Sequence, residues 1–269
     1  MADQAPSFSG PGPEAYHHGL CPTMFEPYAR DLAARMPAST GMRVLETAAG
    51  TGVVTRALLK HLPADARLVA TDISEDMLAI GRSEVPADPR LEWRQADAQA
   101  LAFPDASFDV VVCQFGVMFF PDKALAMREA RRVLKPGGTL LLNTWDSLDR
   151  NPFARITNET LAMLFPHDPP TFFHMPFSYS DRTAIRALLE TTGFAEVEVR
   201  RVEQAAECAS VDLFARGLVY GTPIYGEVQA RGTIDAATVA TRLGERLTEL
   251  GGASPHRSPM SAMVTTARV

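Results

Sequence analysis

Cysteine and histidine are scarce in this chain of 269 residues. The three cysteines, Cys21, Cys113 and Cys208, lie far apart and form no CxxC pair. That spacing excludes a disulfide framework and favours a reducing compartment, so we expect a cytoplasmic protein. The six histidines are scattered and form no HxxxH or HExxH pattern, so the sequence predicts no metal site.

Positive charge and long apolar runs are also lacking. Lysine and arginine number 26 against 32 aspartates and glutamates, which gives a formal net charge of −6. This balance, without any basic stripe, argues against a nucleic-acid partner. No apolar run approaches the roughly 18 residues that a membrane-spanning helix needs, and the first residues lack the apolar stretch of a secretory signal. We expect a small-molecule ligand, and leave the oligomeric state open.

What the chain does contain is a regular alternation of apolar and amphipathic segments between residues 42 and 145. Continuous apolar strands that alternate with helices indicate a parallel sheet covered on both faces, which is a doubly wound α/β fold. Ser74 and Asp122 are predicted to cap two of these helices. The predicted strands are 42–47, 66–72, 91–97, a strand within 108–120 and 139–145, and the predicted helices are 53–62, 74–83 and 122–134.

The segment before this alternation has two predicted parts. Residues 1–14, rich in Pro, Gly and Ser, are predicted to be a flexible arm. A helix is predicted over residues 23–36, where Thr23 and Glu26 match the pattern of a capping box. The remaining chain, 15–269, is predicted to be one domain.

The second half of the chain is less regular. Residues 150–180 are rich in proline and aromatic side chains, and Asp181 is predicted to cap the helix that follows. The two final strands are predicted to pair antiparallel at one edge, which completes a sheet of seven strands. The later predicted elements are a half-exposed strand at 195–202, mainly helix over 209–250 and a last strand at 262–269.

The stretch VLETAAGTGVVT, residues 44–55, passes from a strand through small residues into a helix. In doubly wound sheets, ligands bind at such strand-to-helix turns, outside the carboxyl ends of the strands. Gly50 and Gly52 would let the backbone approach a ligand, and the helix N-terminus offers free N–H groups. Asp72 ends the second strand, where its carboxylate could accept hydrogen bonds from two ribose hydroxyls.

Carboxylates at neighbouring strand ends help to choose between nucleoside cofactors. The glycine turn resembles a dinucleotide GxGxxG that has lost its last Gly, so a nicotinamide-dependent oxidoreductase stays open as an alternative. Glu46, Asp72 and Asp97 would, however, repel the pyrophosphate of a dinucleotide. Asp97 could instead accept the exocyclic amine of adenine. A cofactor that combines adenosine, a sulfonium and a zwitterionic amino acid would tolerate these three carboxylates, since a cation favours an acidic, aromatic-lined cleft.

Four ordered motifs carry a family resemblance: VLETAAGTG, ATDISEDML, RQADAQALAFPDASFDVVVCQFGVMFFPD and RRVLKPGG. In order and spacing they resemble the motifs of class I S-adenosylmethionine-dependent methyltransferases. They are similar to the small-molecule group that includes the ubiquinone/menaquinone-biosynthesis C-methyltransferases. The resemblance covers about residues 40–145 and continues more weakly through 178–194. It implies S-adenosylmethionine as cofactor and S-adenosylhomocysteine as product.

The resemblance also implies a layout for the domain and a role for individual residues. A lid helix at 15–38 and a helical insertion within 147–269 would cover the cofactor-binding core at 39–146. Ala48 stands where the first motif usually has Gly, and we expect this position to need small size rather than a positive φ. The implied cofactor-binding residues are Glu46, Ala48, Gly50, Thr51 and Gly52 in the first motif, Asp72 at the ribose, Ile73 and Met77 beside the adenine, Asp97 and Ala98 at the adenine edge, and Gln114 facing the methionine moiety and the substrate.

The expected reaction is methyl transfer to a small, largely apolar acceptor, bound by residues 150–180 and 209–250. The acceptor atom is left open among O, N and C. His17 and His18, which follow Tyr16 ahead of the helix predicted over 23–36, are candidate general bases, and His174 is another. A sulfonium leaving group can also react through positioning alone, without a base.

Two further alternatives stay open. One is a noncatalytic module that binds the nucleoside cofactor as a structural ligand. The other is a methyltransferase of protein or nucleic acid, which is disfavoured because CQFG stands after the fourth strand in place of a DPPY or NPPY tetrapeptide.

Overall fold

The computed structural model of the protein describes residues 12–37 and 39–269. Residues 1–11 of the predicted flexible arm lie outside the described residues. The first helix, α1, spans Gly12–Leu20, so the prediction of an arm up to residue 14 is wrong for its last three residues. The helix starts early because Gly12 and Pro13, which predicted flexibility, stand in its first turn, where proline is tolerated.

A seven-stranded sheet in the order β3-β2-β1-β4-β5-β7-β6 forms the centre of the molecule. The first five strands are parallel, and β7 pairs antiparallel with both β5 and β6. This confirms the predicted doubly wound sheet with an antiparallel edge. The strands are β1 (Arg43–Glu46), β2 (Arg67–Asp72), β3 (Leu91–Gln95), β4 (Phe108–Gln114), β5 (Leu134–Trp145), β6 (Ala195–Cys208) and β7 (His256–Arg268).

Helices cover both faces of this sheet. Ser74, Asp122 and Asp181 each accept a hydrogen bond from the first turn of the helix that they precede, as predicted. After α1 the α-helices are α2 (Glu26–Ala34), α3 (Val53–His61), α4 (Glu75–Glu84), α5 (Lys123–Val133), α6 (Pro152–Leu164), α7 (Arg182–Thr191), α8 (Val211–Tyr220), α9 (Ile224–Arg231) and α10 (Ala236–Gly251).

The capping box predicted at Thr23 and Glu26 is wrong. A π-helical segment, Cys21–Phe25, joins α1 directly to α2, so no helix begins at Thr23. Its hydroxyl instead donates to the carbonyl oxygen of Gly19, 3.4 Å away. Pro22 has no N–H to donate to the preceding turn, and the wider π turn accommodates its ring while the chain stays helical.

Three strands are longer than predicted. β6 and β7 run on together as a ribbon, with Gln204 opposite Met260 and Cys208 opposite His256. Residues 203–208 were missed because they lack the apolar alternation of a half-buried strand. β5 begins at Leu134 rather than at residue 139. Leu134 pairs with Phe108 and Thr139 pairs with Val110, so the four residues between Leu134 and Thr139 form a bulge opposite β4.

Candidate active site

The turn after β1 uses left-handed backbone at three alternate positions. The φ angles of Ala48, Gly50 and Gly52 are 54°, 55° and 82°. The expectation that Ala48 needs small size but no positive φ is therefore wrong, because this alanine adopts a conformation that favours glycine. The opposite wall makes room for its methyl group: a Cβ added at Gly116 would lie 2.5 Å from the Cβ of Ala48.

Gly52 is required by packing as well as by its backbone angle. A Cβ there would lie 2.6 Å from Cγ2 of Val85 and 2.9 Å from the ring of Trp93. The same ring lies 2.8 Å from the place of a Cβ on Gly81. Trp93 thus packs between two glycines and supports the loop from behind.

Asp72 links the end of β2 to this loop. One carboxylate oxygen accepts from the backbone N–H of Gly50 at 2.8 Å, and the other accepts from the N–H of Ser74 at 2.9 Å. Burial raises the pKa of Asp72 from its usual value, against the lowering effect of these two hydrogen bonds. The carboxylate therefore fixes the shape of the loop and faces the cleft beside it.

Glu46 lies behind the loop rather than on its surface. It is 1% exposed and accepts a hydrogen bond from the hydroxyl of Thr55 at 2.6 Å. Burial raises the pKa of its carboxyl to about 8, and the nearby Asp72 adds to the effect. Thr51 is also buried, with its Oγ1 at 3.3 Å from Sγ of Cys21 in the π segment.

A cleft opens at the carboxyl ends of β1, β2, β3 and β4. Its lining brings together most of the predicted cofactor-binding residues, while Glu46, Thr51 and Gly52 support the loop from below. Ile73 is 60% exposed, an apolar side chain held at the edge of the opening. The predicted residues that line the cleft are Ala48, Gly50, Asp72, Ile73, Met77, Asp97, Ala98 and Gln114.

Two polar side chains in the cleft are held by their neighbours. Asp97 accepts from the backbone N–H of Gln99 at 2.8 Å, which shapes the loop after β3. The amide of Gln114 donates to the carbonyl oxygen of Phe25 at 3.1 Å and accepts from Asn143 at 3.4 Å. Gln114 therefore connects the fourth strand to the π segment.

A second cavity adjoins the cleft. Tyr16, Phe115 and Phe119 line both spaces. The other residues that line the second cavity are Leu20, Met24, Phe25, Trp145, Phe172, Phe173, Pro176, Phe177, Leu218 and Thr222, a set with no charged side chain.

Phe115 is a residue of this boundary that the sequence did not predict. Its φ is 51°, unusual for a non-glycine residue, and its ring stacks on Trp145 with centroids 4.0 Å apart and planes at 9°. The strained backbone is held by the N–H of Phe115, which donates to Oδ1 of Asn143 at 3.0 Å. Neither periodicity nor a motif signals such a residue, although it directly follows Gln114.

The candidate bases do not lie at these cavities. His17 is buried with Nε2 at 3.4 Å from a carboxylate oxygen of Glu84 on α4, and burial lowers the pKa of His17 despite that carboxylate. His18 and His174 are exposed. In the described ranges, neither cavity has a histidine in its lining.

The arrangement of the cleft fits an S-adenosylmethionine cofactor better than a dinucleotide. Carboxylates end two adjacent strands, apolar side chains flank one side, and no Lys or Arg is among the residues that line the cleft to meet a pyrophosphate. The described residues also hold no cluster of three His, Cys, Asp or Glu placed to bind a metal ion. Every helix in the described ranges is too short or too polar to traverse a bilayer.

Known proteins of similar sequence share this core. Residues 45–142 match a family described as a methyltransferase domain. The chain is 32% identical over 169 residues to the ubiquinone/menaquinone biosynthesis C-methyltransferase UbiE of Teredinibacter turnerae, a match that covers 58% of this chain and 68% of that protein. The UbiE of Escherichia fergusonii is 30% identical, with 59% of this chain and 68% of that protein covered.

This chain belongs to the class I S-adenosylmethionine-dependent methyltransferases. The cofactor of this methyltransferase is S-adenosylmethionine, and the predicted class of enzyme is confirmed. The fold agrees with that of phosphoethanolamine N-methyltransferase 2 from Haemonchus contortus in complex with S-adenosylmethionine, with a TM-score of 0.60 at 17% identity, over 96% of this chain and 56% of that one. It also agrees with YcgJ from Bacillus subtilis, with a TM-score of 0.57 at 20% identity, over 90% and 98% of the two chains.

Proposed function

We propose that the adenosine of S-adenosylmethionine lies along the ends of β2 and β3. Asp72 is the acceptor for the ribose hydroxyls, because its carboxylate sits at the cleft and is oriented by Gly50 and Ser74. Ile73 and Met77 supply apolar contacts to the adenine ring. Asp97 and Ala98 meet its edge, where the carboxylate accepts the exocyclic amine.

The methionine end of the cofactor is assigned to the loop after β1 and to Gln114. Left-handed backbone at Ala48 and Gly50 lets main-chain groups approach the ligand, which is the use of small residues in such turns. Glu46, Thr51 and Gly52 act from behind by holding that loop. The Gln114 amide, already oriented by Phe25 and Asn143, faces the junction of the two cavities.

The acceptor is small and largely apolar, and its site is the second cavity. The single observation that carries this proposal is that this cavity adjoins the cofactor cleft, with Tyr16, Phe115 and Phe119 in the lining of both. Burial of apolar area next to aromatic rings drives binding there, and a charged acceptor would lose its hydration without gaining a partner.

Bound S-adenosylmethionine supplies an electrophilic methyl group on a sulfonium, which leaves as neutral S-adenosylhomocysteine. The residues of the chain hold the acceptor in line with that methyl group and exclude water, and such positioning can lower a barrier by several kcal/mol. Aromatic faces around the junction stabilise the positive charge. With no histidine in the lining, positioning carries the methyl transfer, and the proton that the acceptor gives up passes to solvent.

A paired acceptor panel tests this proposal. Purified enzyme with S-adenosylmethionine is given 1-naphthol, 1-naphthylamine and other neutral aromatic or aliphatic acceptors, and 1-naphthol-4-sulfonate as the charged counterpart of the first, which keeps its hydroxyl. We expect S-adenosylhomocysteine to form with neutral acceptors and not with the sulfonate. Mass spectrometry of the product identifies O, N or C as the methylated atom. Turnover confined to charged acceptors would contradict the assignment of the cavity.

The other candidate functions have separate tests. A noncatalytic module would bind S-adenosylhomocysteine and turn over no acceptor. Calorimetric titration with NAD(H) tests the disfavoured oxidoreductase. The net charge of −6 and three free thiols support a cytoplasmic location without a nucleic-acid partner.

A further inference from the structure

Tyr16 on α1 occupies the boundary between the two cavities. Of the three residues that line both spaces, Phe115 and Phe119 are apolar, and Tyr16 carries a hydroxyl. A tyrosine presents an apolar ring and a polar tip, so one side chain can serve two ligands of different polarity. This makes Tyr16 different from the rest of the boundary.

The ring of Tyr16 belongs to the aromatic wall of the second cavity. It stacks on Phe25 with centroids 5.1 Å apart and planes at 20°. Phe25 in turn packs against Phe115 at 5.7 Å and Trp145 at 6.1 Å. The ring is therefore part of a continuous apolar surface that an acceptor would contact.

The hydroxyl of Tyr16 is influenced by groups on the cofactor side. Burial, followed by the charges of Cys21 and Asp72, raises the pKa of this phenol well above its usual value. A phenol in these surroundings stays protonated at neutral pH, so it donates a hydrogen bond and does not act as a base. Asp72 itself is the residue assigned to the cofactor ribose.

Glycines fix the position of Tyr16 by letting α1 contact α8 through backbone. A Cβ on Gly221, just after α8, would lie 2.6 Å from the backbone nitrogen of Tyr16. One turn along, a Cβ on Gly217 would lie 2.8 Å from Cα of Gly19. Side chains at these places would push α1 away, so the close approach of the two helices determines where Tyr16 stands.

We propose that Tyr16 contacts both substrates of the reaction: its hydroxyl donates to an oxygen of the bound cofactor, and its ring forms a face of the acceptor site. This inference rests on the proposed function and deepens it. It gives the enzyme one residue that orients the methyl donor relative to the acceptor.

The first test compares two single-hydroxyl deletions. Tyr16→Phe is expected to weaken S-adenosylhomocysteine binding by about 5- to 20-fold in calorimetry, a loss typical of one hydrogen bond to a ligand. Tyr28→Phe is the matched control, because the hydroxyl of Tyr28 donates to the carbonyl oxygen of Val202 away from both cavities. Tyr28→Phe should bind S-adenosylhomocysteine like the wild type. Unchanged binding by Tyr16→Phe would overturn the proposed contact of the hydroxyl.

The ring is tested with a neutral aromatic probe in the presence of saturating S-adenosylhomocysteine. Tyr16→Phe keeps the ring and should bind 1-naphthol like the wild type. Tyr16→Leu removes the ring and should bind it at least fivefold more weakly. Equal binding of 1-naphthol by both variants would overturn the proposed contact of the ring. If Tyr16 had a merely structural role, each variant would weaken the binding of S-adenosylhomocysteine and 1-naphthol together. Separate losses in the two variants are therefore not expected from such a role.

A third comparison moves Tyr16 without altering it. Gly221→Ala places a methyl group against the Tyr16 backbone and should weaken S-adenosylhomocysteine binding at least threefold in protein that remains folded by circular dichroism. Gly226→Ala on α9 is the control, since a Cβ there meets nothing within 4 Å. Equal affinity in both variants would show that this contact does not position Tyr16.

Failure of this inference can be told apart from failure of the proposed function. If Asp72→Ala loses S-adenosylhomocysteine binding and Tyr16→Phe does not, only the role of the Tyr16 hydroxyl is wrong. If neither variant loses affinity, the cofactor lies elsewhere and the proposed site itself is overturned.

Discussion

The cofactor cleft and the second cavity, which is the proposed acceptor cavity, are built in different ways. The cleft takes its residues from consecutive strand ends between β1 and β4, and backbone conformation and carboxylates shape it. The acceptor cavity is aromatic, and its walls come from α1, the π segment, β5, the segment before α7, and α8. The cleft is mostly local in sequence and contains carboxylates, whereas the second cavity is dispersed in sequence and has no charged side chain.

The two kinds of site differ in how many combinations of side chains can form them. A nucleoside is recognised by hydrogen bonds of fixed geometry, which demand particular residues at strand ends. An apolar acceptor is recognised by shape and buried area, which many combinations of side chains can supply. Perturbing each half separately shows whether the two sites are energetically independent.

The largest effect is expected from Trp145→Ala in the acceptor half. Trp145 is 3% exposed and contacts five aromatic rings: Phe25, Tyr28, Phe115, Phe153 and Phe177. Its truncation should lower the free energy of unfolding by about 3–5 kcal/mol, as for other large buried side chains. Urea unfolding measures the loss, and calorimetry on the folded fraction should find S-adenosylhomocysteine affinity within twofold of wild type.

Trp93→Ala is the matched change in the cofactor half. Trp93 is partly exposed but packs under Gly52 and Gly81. We expect a smaller stability loss, roughly 1–2 kcal/mol, together with weaker S-adenosylhomocysteine binding because the glycine loop loses its support. If Trp145→Ala weakened S-adenosylhomocysteine binding and Trp93→Ala left it unchanged, the two halves would not be independent.

The second effect is a dependence of stability on pH through Glu46. Its pKa is raised from an ordinary 4.5 to about 8 in the folded protein, so the folded state binds the proton more tightly than the unfolded chain. The resulting stability is complete below pH 4.5 and is lost as pH rises through 8. Between about pH 6 and pH 8 the free energy of unfolding should fall by roughly 2 kcal/mol.

Glu46→Gln should flatten this profile in urea unfolding at several pH values. Glu92→Gln, at an exposed position on β3, is the control and should keep the wild-type slope. If the free energy of unfolding changed with pH in the same way in the wild type, Glu46→Gln and Glu92→Gln, Glu46 would not be the cause of the pH dependence.

The third effect is on the cofactor itself. Asp72→Ala should weaken S-adenosylhomocysteine binding at least tenfold, about 1.4 kcal/mol, because it removes the ribose acceptor and frees the Gly50 N–H. Isothermal titration measures the affinity, and Asp76→Ala, an exposed carboxylate on α4, is the control. Wild-type affinity in a folded Asp72→Ala variant would refute the ribose assignment.

The smallest effect is expected at Ala48. Ala48→Gly relieves left-handed strain of about 1 kcal/mol, partly offset by the greater freedom of glycine in the unfolded chain. We expect a rise in Tm of a few degrees at most by calorimetry. Ala49→Gly, at a neighbour without positive φ, should instead lower the Tm. A lower Tm for both variants would show that packing of the Ala48 methyl group adds more stability than the left-handed backbone conformation costs.

Sequence reasoning predicted the cofactor half in detail because its signals are local. Asp72 could be placed at a strand end from its own neighbours, and the cap at Ser74 could be read from the helix that follows. It failed at Ala48, since no local pattern reveals that Gly116 packs opposite and leaves space for the methyl group. The roles of all these residues toward the cofactor stay predictions until binding is measured.

The acceptor half was predicted only as a region. Residues 150–180 and 209–250, which were predicted to bind the acceptor, supply Phe172, Phe177 and Leu218 to the second cavity. Tyr16 and Phe115 could not be assigned to it, and His17, one of the three candidate bases, faces α4. The direction of a side chain on α1 depends on how that helix packs, which its own sequence does not specify.

The alternation of strands and helices in the core, the glycine turn and the acidic strand ends could be predicted from the sequence, because they follow from periodicity and short-range chemistry. Which residues form the boundary between the cofactor cleft and the second cavity depends on tertiary packing. That boundary exists because glycines 19, 217 and 221 let α1 and α8 meet backbone to backbone, which brings Tyr16 beside the ends of strands far away in sequence. Contacts between distant segments depend on the packing of the whole chain, so no single stretch encodes them.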